Sequence, residues 1–270
     1  MPSDFAIHSD LLVHWTGKDI EDTHKPKWDE QDSSKITQEV DEAYLRRLQD
    51  ILSFGLWMTS QPGGKLPDGS SVPDAYCLCF TELKLSQSRT HAIEYGRLGI
   101  AVKRPFLFAR GGRPVIYYQP RGCKDTFLYS CSRDLKDKRL LQFFKPMDRC
   151  TDRHMKYDLY SESEWRIIAG TGQQRSNQII DPRSTTNTHV IEYYSELLPK
   201  DQKILHYLVP LDGWLAAIIY PSLRIKNKAQ QCGSEIQRLI HKIARTPDHA
   251  RLVEGDNLPV ELDLDLCSNL

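Results

Sequence analysis

A small set of side chains in this 270-residue chain has the types and spacing to act together. His14 and Thr16 lie two apart in the run L-V-H-W-T-G, from Leu12 to Gly17. Glu162 and Glu164 lie two apart in S-E-S-E-W-R-I-I, from Ser161 to Ile168. Between these pairs fall Thr81, in C-F-T-E-L, and Tyr95, in A-I-E-Y-G-R-L-G-I. On a strand, residues two apart share a face, so each pair can point at one ligand. Two carboxylates facing one way can stabilise developing positive charge and orient or deprotonate an attacking group. A His and a Thr can hold a hydroxylated ligand, and a Thr hydroxyl or a Tyr ring can pack a planar group.

These residues need rigid elements under them. Leu11–Trp15 reads as a strand. Residues 17–35 read as a polar loop leading to a helix capped by Ser33 or Ser34. That helix follows from the recurrence of Val40, Ala43, Tyr44, Leu48, Ile51 and Leu52, and Gly55 suits its stop. Residues 61–74 read as an irregular loop, with prolines and glycines throughout. A loop of that length is functional or disordered more often than not. Ala75–Phe80 reads as a strand, Leu83–Arg97 as a helix, and Gly99–Val102 and Val115–Tyr118 as strands. Residues 133–156 read as a helix and then a loop, Leu159–Ala169 as a strand, and 170–188 as a second long loop. His189–Tyr194 is expected to pair with the sheet, with further strands at Lys203–Val209 and Trp214–Tyr220. Ala229–Ala244 reads as an amphipathic helix, and the tail from Glu254 as an edge strand or a flexible segment. Short, numerous strands with helices inserted mainly early predict an α+β fold: a split mixed or antiparallel sheet with a C-terminal helix packed on it. One domain is expected, with its core over about 10–220 and a helical extension over 221–270.

Composition narrows the function classes. Lys plus Arg and Asp plus Glu each number 36, so the net charge is zero and no global pull on nucleic acid or anionic lipid is implied. No apolar run approaches the roughly 20 residues of a spanning helix, and the N-terminus lacks signal-peptide character, so a cytoplasmic protein is expected. The seven cysteines include no C-x-x-C pair. Cys77, Cys79, His91 and Cys123 are poorly spaced for zinc, and reduced thiols are expected, with no metal site. No phosphate-cradling G-x-x-x-x-G-K-[ST] is present, which excludes a P-loop nucleotide triphosphatase. Arg133–Lys156 holds eight Lys or Arg against four Asp, with Phe143 and Phe144 interleaved. Such a run is a solvated face or a surface for nucleic-acid stacking.

The motif order resembles that of the ADP-ribosyltransferase superfamily. His14 and Thr16 match its His-x-Thr motif, with Trp15 in the place often held by Gly. Ile51, Leu52, Gly55 and Leu56 resemble the helix-then-Gly segment that follows. Thr81 and Tyr95 compete for the second motif position, and Glu162-x-Glu164 resembles the third motif of one branch. Over roughly Asp10 to Ala169 the chain also resembles bacterial abortive-infection proteins of the AbiGi type, through its H-W-T, C-F-T-E, Y-G-x-x-G-I and E-W-R-I stretches. The resemblance implies a transferase that uses NAD as substrate and works in antiviral defence or a toxin–antitoxin pair. It implies that His14 and Thr16 bind ribose, that Thr81 or Tyr95 lines the nicotinamide pocket, that Glu164 stabilises the transition state and that Glu162 orients the acceptor. The AbiGi-type resemblance equally implies an inactive antitoxin or binding protein with a cognate toxin as its partner. The alternation of Glu162, Glu164 and Arg166 with Ser163, Trp165 and Ile167 also fits a plain amphipathic strand with its charges in solvent. Arg166 is expected to form an ion pair.

Overall fold

A computed structural model describes residues 10–23, 33–82, 88–118, 126–146, 163–245 and 258–268. The chain divides into two units, one of residues 1–55, 82–106 and 211–270 and the other of 56–81 and 107–210. Helices and strands mix in both, with parallel and antiparallel pairs, so the fold is α+β.

The first unit is built on β1 (Leu11–Thr16), β6 (Leu98–Lys103), β12 (Leu215–Tyr220) and β13 (Val260–Asp263), side by side in that order. β1 and β12 run antiparallel to β6, and β13 runs parallel to β12. Strand alternation sorts their side chains. Val13 and Trp15 pack with Ala101, Ala217 and Ile219 in one buried cluster. His14 and Thr16 therefore point to the opposite face, where Ile100 and Leu98 are their partners across the pair. A short helix α1 (Lys18–Thr23) follows β1. The sequence pattern missed it, because it is polar and buries only Ile20. Helix α2 (Ser33–Phe54) buries Tyr44, Leu48, Ile51 and Leu52 as its apolar spacing requires. Gly55 ends it at a positive φ of 105°, its N–H donating to the Ile51 carbonyl at 2.9 Å. Helix α3 (Ser88–Tyr95) is shorter than its predicted span, of which residues 83–87 lie outside the described residues.

The expected C-terminal helix is two helices, α9 (Leu223–Ala229) and α10 (Glu235–Ala244). Gly233, at φ 80°, lies in the turn that separates them. α10 buries Ile236, Leu239, Ile240 and Ile243 along one stripe. Part of the acidic tail forms β13, as an edge strand.

The second unit centres on β2 (Leu56–Gln61), β5 (Ala75–Glu82), whose last residue falls in the first unit, β7 (Arg113–Pro114), β10 (Glu164–Ile168) and β11 (Tyr207–Val209). These pair antiparallel in the order β11, β2, β5, β10, β7. The expected irregular loop at 61–74 contains a small hairpin of β3 (Gly64–Lys65) and β4 (Ser71–Val72). Leu66 anchors it by packing with Tyr118, Leu128 and Leu141. Helix α4 (Arg104–Ala109), which runs from the first unit into the second, and strand β8 (Ile116–Tyr118) follow β6 in the chain. In the basic stretch, α5 (Thr126–Asp134) ends early, a 3-10 turn spans Lys138–Phe143, and β9 (Phe144–Pro146) pairs with β8. Residues 147–156 of that stretch lie outside the described residues.

Three further expectations are corrected. The second long loop contains helix α6 (Thr171–Arg175). His189–Tyr194 is part of helix α7 (Thr188–Glu196), not a strand. Asn187 caps it by accepting from the His189 N–H at 3.1 Å, and Val190 and Tyr193 bury at helical spacing. The strand expected over Lys203–Val209 shortens to β11 (Tyr207–Val209), and its first two residues instead close helix α8 (Pro199–Ile204), which has Pro199 in its first turn. No helix among the described residues is long and apolar enough to cross a membrane.

Candidate functional site

In the first unit, β1 sets His14 and Thr16 on the face opposite Val13 and Trp15. Trp15 thus packs into the core, its ring against the position where Gly99 leaves room. Any side chain at Gly99 would meet that ring at about 3.0 Å. The α2 guanidinium of Arg47 donates to the Thr16 hydroxyl at 3.1 Å. It also pairs with both Asp19 oxygens, at 2.7 and 3.3 Å. The turn below is tight. Gly17 has φ 103°, and a Cβ there would lie 2.4 Å from the Tyr44 ring. Tyr44 donates to the Glu21 carboxylate at 2.9 Å, which fixes α1 against α2. His14, Thr16 and Arg47 together offer donors to a hydroxylated or anionic ligand.

Tyr95 is elsewhere. Its ring packs against the cluster of Val13, Trp15 and Ala92, on the sheet face away from His14 and Thr16. The fold does not bring it to that pair.

In the second unit, β5 and β10 place Thr81 directly across from Glu164, and Cys79 across from Arg166. Every residue of β10 is buried, which overturns the reading of its charges as a solvent face. Glu164 is only 5% exposed. One of its oxygens accepts from Arg166 Nε at 2.6 Å. The other accepts from Lys145 Nζ at 2.7 Å and from Arg166 Nη2 at 3.2 Å. The expected ion pair of Arg166 is therefore present, with Lys145 as a second cation. Burial works to raise the Glu164 carboxyl, but the Arg166 and Lys145 charges overcome it and hold the group below the usual carboxylate range. The backbone is fixed as well. The Glu164 N–H donates to the Tyr117 hydroxyl at 3.1 Å, and its carbonyl accepts from Val115 at 2.8 Å. Ser163, just before it, sits in the left-handed region at φ 45°, a local strain at the entry to the strand.

Two thiols complete this surface. Burial and then the Glu164 charge push Cys79 well above its ordinary value, and burial pushes Cys77 up to about 11. Both stay neutral, and neither forms a disulfide. Arg166 also donates to the Gln142 carbonyl, and the Gln142 side chain donates to the carbonyls of Pro62 at 3.3 Å and Pro73 at 3.0 Å. One buried amide thus staples both ends of the 61–74 segment to the carboxylate cluster.

Thr81 is 7% exposed, and its hydroxyl has no hydrogen-bond partner among the described residues. Most buried hydroxyls in proteins are paired, so an orphan beside an ionised carboxylate is unusual. Glu162 lies outside the described residues.

Lys145 and Arg47 were not singled out from sequence. Lys145 lay hidden in a basic run that reads as solvated. Arg47 did leave a signal, since it falls at helical spacing within the stripe of Tyr44, Leu48 and Ile51. No family model, curated protein or solved structure matches the chain.

Proposed function

We propose that the chain is an NAD-dependent ADP-ribosyltransferase of the ADP-ribosyltransferase-like fold, acting as a toxin or effector in bacterial phage defence. The observation that carries this reading is the buried, partnerless Thr81 hydroxyl opposite the ionised Glu164. A carboxamide has both a donor and an acceptor, so nicotinamide would satisfy that hydroxyl. A carboxylate held ionised on a rigid strand suits a transition state with positive charge near the anomeric carbon. In the reaction, the bond from nicotinamide to ribose breaks and its electron pair leaves with nicotinamide. A lone pair of the acceptor then forms the new bond at the anomeric carbon, and the acceptor loses a proton. On the first unit, His14 and Thr16 are the proposed ribose contacts, with Arg47 beside Thr16. Glu162 is the proposed acceptor-orienting group. The acceptor is DNA, RNA, protein or water.

A specific observation favours a second reading, a catalytically inactive antitoxin or binding protein of an abortive-infection system. Both Glu164 oxygens are already engaged by Arg166 and Lys145. A carboxylate so engaged is a structural anchor unless a substrate displaces one cation.

The test incubates the purified protein with labelled NAD and separate pools of DNA, RNA and host protein. Transfer to one pool, or release of ADP-ribose, supports the enzyme. Thr81→Val should lower turnover at least tenfold while leaving the fold intact. Glu164→Gln should abolish turnover, but it also unpairs two cations, so Thr81→Val is the cleaner probe. No turnover in any pool by a folded protein would favour the antitoxin.

A further inference from the structure

The second unit groups three aromatic rings with two exposed guanidiniums. Tyr76, on β5, lies with its ring centroid 4.0 Å from that of His206, at an interplanar angle of 31°. The Tyr207 ring meets the Tyr76 ring edge-on at 5.5 Å. All three rings are half-buried, so part of each faces solvent. Arg139, from the 138–143 turn, donates to the Ala169 carbonyl at 3.4 Å, and the Ala169 N–H donates to the Tyr76 carbonyl at 2.9 Å, which sets this guanidinium near the strand that carries Tyr76. Arg183, from the 170–188 segment, donates to the His206 carbonyl at 3.1 Å.

Each guanidinium is oriented by a carboxylate two residues earlier. Arg139 pairs with Asp137 at 2.7 Å, and Arg183 with Asp181 at 2.8 Å. The Arg139 and Arg183 side chains are 44% and 42% exposed. Exposed pairs of this kind are worth about 0–1 kcal/mol, so a phosphate can replace the carboxylate at little cost. Burial, and then the Arg183 charge, lower the His206 pKa, which leaves its ring neutral near pH 7. A neutral ring stacks without adding like-charge repulsion to the guanidiniums beside it.

Partly exposed rings beside forked cations are what unstacked bases require. Bases stack on the rings, and the guanidiniums meet the phosphates between them. A duplex keeps its bases inside and cannot use the rings. The C-terminal helices of the first unit offer a contrast. Lys226, Lys228, Arg238 and Lys242 give them charge, but α9 and α10 contain no Phe, Tyr or Trp and carry a single ring, that of His241.

We infer that Tyr76, His206 and Tyr207, flanked by Arg139 and Arg183, form a platform for single-stranded nucleic acid. As a statement about the transfer acceptor, this rests on the proposed transferase reading. As a binding surface it does not, and its test uses no NAD. The measurement is fluorescence anisotropy of the full chain with labelled single strands of about 12 nucleotides, DNA and RNA, and with the matching duplex. Single strands of either chemistry should bind at least tenfold more tightly than duplex. Tyr207→Leu should weaken that binding about tenfold, in line with the loss of one stacked base. Arg139→Ala with Arg183→Ala, both on the surface and safe for the fold, should weaken it several-fold. This double variant should also flatten the salt dependence by about 1.4 in log–log slope, as for two lost phosphate contacts on a single strand. No binding by the folded protein, equal binding of duplex, or binding unmoved by all three substitutions would overturn the platform.

Discussion

Two carboxylates removed from water, one in each unit, titrate in opposite directions. Glu164 in the second unit is held below the usual carboxylate range. Asp50, on α2 of the first unit, is pushed up to about 6. Burial is the largest influence on both, and it raises both. The difference is geometry. Arg166 and Lys145 make hydrogen-bonded contacts with the two Glu164 oxygens. Arg47 and Arg46 lower Asp50 only through their charge at a distance, and the nearer hydrogen bonds of Arg47 go to Asp19 and Thr16. A partly desolvated acid thus titrates below its ordinary range only where cations touch it, and counting neighbouring charges would have given the wrong sign for Asp50.

The contrast breaks first at Arg166. Arg166→Leu should cost about 3–5 kcal/mol, because it leaves a buried carboxylate with one cation instead of two. Urea denaturation at pH 7 measures this. A loss below 1 kcal/mol would mean that Lys145 alone holds Glu164. The pH dependence carries the same information. Glu164 binds fewer protons in the folded state than in the unfolded one, so its contribution is complete above the unfolded value near 4.3. It is lost as pH falls through the lower folded value. In acid titrations below about pH 4.5, the wild type should therefore lose stability faster than Glu164→Gln.

Asp50 should do the reverse. Its folded value of about 6 lies above its unfolded one. The folded state therefore holds the proton longer, and stability falls as pH rises from about 4 to 6. Asp50→Asn should stabilise the protein at pH 7 by about 1–2 kcal/mol, a figure already reduced for solvent screening. The gain should vanish by about pH 4. Thermal melts of the two proteins at both pH values decide it, and a loss at pH 7 would place Asp50 in an ion pair.

The first unit was the more legible in sequence, for a physical reason. β1 alternates from Val13 to Thr16, α2 repeats with a helical period, β12 is a continuous apolar run buried on both faces, and Gly55 marks a stop. The pair His14 and Thr16 follows from that alternation alone. The second unit is built from short elements tied by contacts distant in sequence. Gln142 reaches both Pro62 and Pro73, and Lys145 reaches Glu164 across 19 residues. Neither link leaves a local pattern. The spacing of Glu164 and Arg166 correctly placed them on one face, but a charged pair two apart reads as a surface. Only the pairing of β10 with both β5 and β7 shows that it is interior.

Thr81 sharpens the comparison at smaller magnitude. Its hydroxyl is buried and unpaired, so Thr81→Val removes a desolvated polar atom without removing a bond. The change should be neutral or stabilising, within about 1 kcal/mol, whereas the same swap at a bonded hydroxyl costs stability. A clear loss in chemical denaturation would show that the hydroxyl has a partner in solution. It would also remove the observation on which the transferase reading rests.

The smallest effect belongs to Arg47. It forms an ion pair as short as that of Arg166, 2.7 Å against 2.6 Å, yet its partner Asp19 is 63% exposed. Water competes for the Asp19 carboxylate, and screening removes most of the remaining attraction. Asp19→Asn should change stability by less than about 0.5 kcal/mol, and Arg47→Gln by less than about 1 kcal/mol, since Arg47 also loses its bond to Thr16. The two pairs differ little in length, so the several-fold gap between these costs and that of Arg166→Leu reports chiefly on burial and on the extra bond of Arg166 to the Gln142 carbonyl. If Arg47→Gln instead matched Arg166→Leu in a denaturant titration, distance rather than desolvation would set the strength of both clusters. The contrast between the two units would then collapse.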